Sequence, residues 1–161
     1  MENTGIHRAK TWQMALFALN NTSTNLWLVL LNFVAYYLTG YVGVAVVMAT
    51  SVMTFMRIWD AVTDPIVGYI VDKTDGKFGK NRPFMAAGNI VLLITTFLMF
   101  FTTHHLPEEF RFIYFLVIYL IYIIGYTLQT VVTKSAQSCL TNDPKQRPTF
   151  GIYDGIYNAT L

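Results

Sequence analysis

The sequence predicts an all-α membrane protein, and the observations behind this prediction are its composition and its apolar pattern. Of its 161 residues, 54% are hydrophobic and only 12% are charged, about half the charged fraction of an average soluble domain. A helix needs roughly 20 mostly apolar residues to cross a bilayer. Four stretches reach that length, at about 11–38, 44–72, 83–103 and 112–140, and a shorter fifth covers 149–161. The lipid bilayer is therefore the expected surrounding of this chain.

Basic residues predict how the helices are oriented. Lys and Arg are concentrated before the first span and in the loops after the second and fourth spans, whereas the opposite loops contain only Arg111. Because such residues are enriched in cytoplasmic loops, we expect a multi-pass protein with a cytoplasmic N-terminus. The net charge of +2 offers no basic surface for nucleic acid. No nucleophile and base, metal-ligand set or phosphate loop indicates an enzyme or a cofactor.

The second predicted helix carries charged side chains that cannot face lipid. Arg57, Asp60 and Asp64 follow one another at spacings of three and four, so they share a face with the neighbouring Thr63. Two carboxylates one turn apart need a proton, a basic side chain or a metal cation to neutralise them. Pro65 removes a backbone donor and so frees a carbonyl oxygen nearby. We expect this face to bind a cation; a structural Arg57–Asp60 ion pair beside a simple kink is the open alternative.

The fourth predicted helix has a polar stripe that must also face the interior. Its members recur at spacings of three and four: Thr127, Thr130, Lys134 and Gln137. Lys134 lies at about the same depth as Asp64, so we expect an ion pair between them. The open alternative is that the long Lys134 side chain snorkels to the cytoplasmic interface.

The first predicted helix contributes a third polar patch, ALNNTSTN, near its middle. Asn21 and Asn25 lie one turn apart in this patch. Amide side chains offer both a donor and an acceptor and therefore suit hydroxyl-rich ligands. Hydrogen bonds that hold the helices together are the alternative for either residue.

The segment 57–84, RIWDAVTDPIVGYIVDKTDGKFGKNRPF, resembles the glycoside-pentoside-hexuronide:cation symporters, the melibiose permease-like branch of the major facilitator superfamily. The resemblance rests on the intramembrane aspartates, on the proline that follows them and on the pattern of the next loop. The matching residues are Asp60, Asp64, Pro65, Gly68, Asp72, Lys73, Gly79, Lys80, Arg82 and Pro83. It implies a transporter of twelve transmembrane helices in two six-helix halves, located in the cell (inner) membrane. Residues 1–161 would form the N-terminal part of the first half.

The resemblance also implies a cation site. The melibiose permease-like pattern holds sodium between two aspartates of helix two, a polar residue between them and a threonine of helix four. The corresponding residues here are Asp60, Asp64, Thr63 and Thr127. Each offers an oxygen ligand, but Thr63 replaces an asparagine of the pattern. Sodium, lithium and protons therefore all stay open as the coupling cation.

The sugar site implied by the resemblance departs further from the family pattern. Asn21 and Thr130 stand where the pattern has carboxylates, Lys134 stands where it has a tryptophan, and Gly155 stands where helix five has an arginine. Asn21, Asn25, Thr130 and Lys134 are the expected substrate-binding residues. These changes favour a glycoside other than melibiose, or a hexuronide whose carboxylate meets Lys134.

The loop motif predicts a cytoplasmic gate formed by Gly68, Asp72, Lys80 and Arg82. Gly68 permits close contact between helices. Asp72, near a helix end, can bond backbone amides or basic residues. Alternatively, the basic residues serve only as orientation signals.

These features together predict secondary active transport, a symport of a sugar, glycoside or hexuronide with sodium or a proton. One alternative is a cation-coupled lipid carrier of the same superfamily, because a cavity rich in Tyr and Phe also suits an acyl chain. The other alternative is a non-transporting, truncated membrane component.

Overall fold

The described part of the chain folds as a bundle of five α-helices. The computed structural model describes residues 8–74, 81–141, 143 and 146–160. In chain order the helices are α1 (Thr11–Gly40), α2 (Val46–Lys73), α3 (Arg82–Phe97), α4 (Glu108–Leu140) and α5 (Arg147–Ala159). The first four, with α3 extended to Thr102, are long and apolar enough to cross a membrane. The predicted fold class, four spans and a short fifth helix, is confirmed.

Two helix ends differ from the positions expected from apolarity. α4 begins at Glu108, four residues before the expected start, and Glu108 and Glu109 lie in its first turn. Carboxylates at a helix N-terminus interact favourably with the helix dipole. The two glutamates therefore extend α4 beyond the apolar stretch from which its start was predicted. Beyond Phe97, α3 continues as a π-helical turn over Leu98–Thr102 and a 3₁₀ turn over Thr103–His105. A change of winding of this kind leaves no mark on an apolar pattern.

Helix α4 occupies the centre of the bundle, where it packs against α1, α2 and α3, while α5 packs against α1. Two glycines mark a close approach between α3 and α4. A Cβ atom built on Gly125 would lie 2.9 Å from Cγ1 of Val91, and one built on Gly88 would lie 3.3 Å from the carbonyl oxygen of Gly125. Small residues of this kind let two membrane helices approach each other closely.

Gly68 does not make the close helix contact expected of it. No described atom lies within 4 Å of a Cβ atom built at this position. The expectation came from the glycine alone, but a close approach also needs a neighbouring helix on the same side. In the described part of the chain, that condition is met at Gly88 and Gly125.

The ends of α1 and α5 are joined by polar contacts where both helices begin. The side-chain amide of Gln146 accepts a hydrogen bond from the backbone N–H of Ala9 at 2.9 Å and donates one to the carbonyl of Ala9 at 3.0 Å. Nε of Arg8 lies 2.8 Å from Oδ2 of the buried Asp143. These contacts fix where α5 starts relative to α1, and hence which of their residues face each other.

Candidate cation and substrate site

The contact between α2 and α4 contains a cluster of oxygen atoms. Oγ1 of Thr127 donates a hydrogen bond to Oδ1 of Asp60 at 3.0 Å. Oγ1 of Thr63 donates to the backbone carbonyl of Asp60, also at 3.0 Å, and lies 3.4 Å from Oγ1 of Thr127. Both threonines are buried, and Thr127 is 0% exposed. A carboxylate, two hydroxyls and a carbonyl therefore converge at one point between two helices.

The spacing of these oxygens suits a hard cation. Such ions hold oxygen ligands at about 2.3–2.6 Å, so neighbouring ligands at right angles lie about 3.4 Å apart. The two threonine hydroxyls already have this separation. Asp60 supplies the negative charge, and the hydroxyls can turn their lone pairs toward an ion because a hydroxyl both donates and accepts. The structure thus brings together Asp60, Thr63 and Thr127, three of the four residues expected at the cation site.

Asp64, the fourth expected ligand, lies one helical turn beyond Asp60. Its side chain is exposed, and it makes none of the hydrogen bonds of the oxygen cluster that are described here. One turn apart on a helix, the two residues are separated by about 5–6 Å, within the range of electrostatic interaction. In this conformation Asp64 can therefore attract a cation toward the cluster without being one of its close ligands.

Arg57 lies on the other side of Asp60, beside a small cavity. The cavity is lined by Leu31, Met56, Arg57, Asp60, Tyr119, Ile123 and Tyr126. Arg57 is exposed, and no ion pair within 4.0 Å joins it to Asp60 in the described part of the chain. The structural ion pair that was the alternative for Arg57 is thus not formed in this structure. Asp60 keeps a carboxylate oxygen that faces Thr127.

The predicted polar stripe of α4 is only partly assembled. Thr130 is half-buried, and its hydroxyl donates to the carbonyls of Tyr126 and Thr127 in its own helix. Lys134 is exposed, and among the residues described no carboxylate lies within 4.0 Å of its ammonium group. The ion pair expected between Lys134 and Asp64 is therefore not formed in this conformation.

The two asparagines expected to bind substrate face α5. Nδ2 of Asn25 donates to Oδ1 of Asn158 at 3.0 Å. Asn21 and Asp154 lie one helical turn before this pair on their respective helices, so they face each other across the same contact. For Asn25, the alternative of an interhelical hydrogen bond is thus realised in the structure.

A buried polar network between α1 and α4 was not predicted from the sequence. Nε2 of Gln129 donates to Oδ1 of Asn20 at 2.9 Å, and Nδ2 of Asn20 donates to Oγ1 of Thr133 at 3.1 Å. Gln129 is 0% exposed, although it is a large polar residue. An amide side chain within an otherwise apolar span could have indicated this network. Gln129 was not selected because it does not lie at the three-and-four spacing that defines the predicted stripe.

The gate residues that are described lie at the facing ends of α2 and α3. Asp72 is exposed in the last turn of α2, and Arg82 is exposed as the first residue of α3. Gly68 lies one turn before Asp72, whereas Lys80 falls outside the described residues. The gate remains a prediction.

Comparison with known proteins gives these contacts a context. A family described as "MFS/sugar transport protein" matches residues 20–160 of the chain. That range contains the oxygen cluster, the Asn20–Gln129 pair and the face of α1 that meets α5. It therefore covers every part of the site described above.

Individual relatives point in the same direction. The chain is 31% identical, over 75% of its length, to a candidate glycoside/cation symporter, YagG, of Escherichia coli. It is 27% identical over 77% of its length to a glucuronide carrier protein homolog of the same organism, and 28% identical over 66% to a lactose permease of Lactobacillus helveticus. These matches cover 26%, 27% and 17% of the respective relatives. The chain thus spans about a quarter or less of their length.

Proposed function

Because the chain belongs to the MFS/sugar transport protein family, a family of transporters and not of enzymes, we propose that the full-length protein is a secondary active symporter. It moves a sugar or glycoside across the cell (inner) membrane together with a coupling cation. The observation that carries this proposal is the cluster of Asp60, Thr63 and Thr127 between α2 and α4. A carboxylate in a membrane span needs a positive charge. Asp60 has the Thr127 hydroxyl at 3.0 Å and, among the described residues, no basic side chain within 4.0 Å.

The cation binds at Asp60, with the hydroxyls of Thr63 and Thr127 as further ligands and Asp64 as a second negative charge one turn away. Sodium is the ion we favour, because the cluster offers several oxygens at ligand spacing, whereas a proton needs only one. Lithium would occupy the same oxygens. Binding neutralises Asp60 inside the bundle and so removes the electrostatic penalty of closing water out of this region.

The substrate binds along α1 and α4, where Asn21, Asn25, Thr130 and Lys134 supply polar groups. The names of the relatives include a glycoside symporter, a glucuronide carrier homolog and a lactose permease. A sugar or glycoside is therefore the substrate class we propose. Alternating access follows from rocking of helical repeats about the binding site. In this scheme the N-terminus is cytoplasmic, and Gly68, Asp72, Lys80 and Arg82 close the cytoplasmic side.

The proposal is tested by uptake into proteoliposomes that contain the full-length protein. A panel of radiolabelled glycosides is offered with an inward sodium gradient, with an inward proton gradient, and with both gradients collapsed. We expect accumulation above equilibrium for at least one glycoside and only with a gradient of the coupling ion. Equal uptake after the gradients collapse would contradict symport. Gradient-driven uptake of a lysolipid in place of every glycoside would favour the lipid carrier.

A further inference from the structure

The interface between α1 and α5 is built from three pairs of residues, each one helical turn after the last. Phe17 packs against Phe150 with a ring separation of 5.6 Å. Eight residues further along both helices Asn25 bonds to Asn158. The intervening positions, Asn21 and Asp154, therefore face each other one turn from either contact. The first pair is an ordinary apolar contact. The second and third pairs, Asn21–Asp154 and Asn25–Asn158, form a polar strip that we call the α1–α5 polar strip.

Asp154 is the unusual member of this strip. Its Oδ1 atom is buried and accepts no hydrogen bond from the residues described. Burying a carboxylate oxygen without a hydrogen-bond partner costs free energy. An apolar pair or two amides would therefore join the two helices more stably. The asparagine pair one turn away shows that amides fit here. The unsatisfied oxygen of Asp154 therefore indicates a ligand.

The chemistry of the strip favours hydroxyl groups over a second cation. A cation site is made of acceptors, as at Asp60, whereas three of the four side chains of this strip carry amide N–H₂ donors. A sugar hydroxyl both donates and accepts, so it can donate to the carboxylate and accept from a neighbouring amide. Charge-assisted hydrogen bonds of this type are about twice as strong as neutral ones.

We propose that Asp154 is a specificity-determining residue of the sugar site, which binds substrate hydroxyls together with Asn21 and selects neutral glycosides over hexuronides. This inference rests on the proposed transport function. The carboxylate of a hexuronide placed at the strip would meet a second negative charge in a poorly solvated place. Two like charges about 4–6 Å apart at an effective dielectric constant near 20 would weaken binding about a hundredfold or more.

The test uses matched pairs of ligands that differ only at C6, phenyl β-glucoside against phenyl β-glucuronide and the corresponding galactoside pair. Binding to the purified full-length protein is measured by calorimetry in sodium buffer. We expect the wild type to bind the neutral member of at least one pair tenfold or more tightly than its uronide. Asp154→Asn should reduce that ratio at least tenfold, because it weakens hydroxyl binding and removes the repulsion.

The matched control is Asp143→Asn, the same substitution at a buried carboxylate near the start of α5 that bonds to Arg8. It should lower thermal stability and leave the ligand ratio unchanged. Sodium binding at the Asp60 cluster, which shares no residue with the strip, verifies that each variant is folded. Should Asp154→Asn fail to fold, Asn21→Asp adds a charge to the same pair and should weaken uronide binding further. A folded Asp154→Asn with an unchanged ratio, or an unaffected uronide affinity in Asn21→Asp, would refute the role of Asp154.

Failure of this inference is distinguishable from failure of the proposed function. A protein that accumulates glycosides under a gradient but prefers the uronide of each pair contradicts only the assignment of Asp154. A protein that binds neither member of any pair and shows no gradient-driven uptake contradicts both.

Discussion

Asp60 and Asp64 are expected to contribute unequally to cation affinity, and a pair of identical substitutions measures the difference. Oδ1 of Asp60 is 3.0 Å from Oγ1 of Thr127, so a cation at this cluster touches Asp60 directly. Unit charges 4 Å apart interact by about 4 kcal/mol at an effective dielectric constant near 20. The loss of a directly coordinating charge in Asp60→Asn therefore weakens sodium binding about a thousandfold or more.

The corresponding loss in Asp64→Asn is smaller. Residues one turn apart on a helix are separated by about 5–6 Å, at which the same calculation gives about 3 kcal/mol. Asp64 is exposed, so solvent screening reduces this value to about 1–2 kcal/mol. We expect sodium affinity to fall about five- to thirtyfold in this variant. Sodium would therefore still stimulate uptake in this variant at concentrations high enough to saturate the weakened site.

The assay is calorimetric titration of sodium into the purified full-length protein, with lithium as a second probe. Asp143→Asn serves as the control, since it is the same substitution at a buried carboxylate that bonds to Arg8 and belongs neither to the oxygen cluster nor to the proposed gate. Its sodium affinity should equal that of the wild type. A larger loss in Asp64→Asn than in Asp60→Asn would show that the ion binds one turn further along α2 than the oxygen cluster.

Two further predictions concern α4 and its neighbours. Lys134→Ala should change sodium affinity by less than about twofold, because Lys134 has no carboxylate within 4.0 Å among the described residues; a tenfold gain in titration would reveal an ion pair with Asp64 in another conformation. Gly88→Ala should lower the free energy of unfolding by about 1–3 kcal/mol and the melting temperature with it, because the new Cβ would lie 3.2 Å from Oε1 of Gln129. Gly151→Ala, whose Cβ meets nothing described within 4 Å, is the control; equal melting temperatures would contradict the tight α3–α4 contact.

The sequence was sufficient to predict the four spans and to select the residues that meet between α2 and α4; their role in cation binding stays a prediction. Apolar stretches of the required length give the four spanning helices, and polar residues within a span must face protein. That requirement is met by contacts among Asp60, Thr63 and Thr127. The spacing of the polar residues and the family resemblance together were needed to select these three.

The partners of the other polar residues could not be predicted in the same way. Spacing shows which residues share a helix face, but the rotation of each helix in the bundle decides which neighbour that face meets. Asn21 and Asn25 share a face as expected, yet that face meets α5. Gln129 was passed over because it lies off the predicted stripe, and only packing shows that it meets Asn20.

The positions of Thr127 and Gln129 on α4 show how the two sides of the site are connected. They are two residues apart, about 200° around the helix, and therefore point to nearly opposite sides. Thr127 bonds to Asp60 on α2, whereas Gln129 bonds to Asn20 on α1. Asn20 immediately precedes Asn21, which faces Asp154 across the α1–α5 polar strip. Because α4 makes both bonds, a movement of α4 that opens the oxygen cluster preserves the Asn20–Gln129 bond only if α1 moves together with α4.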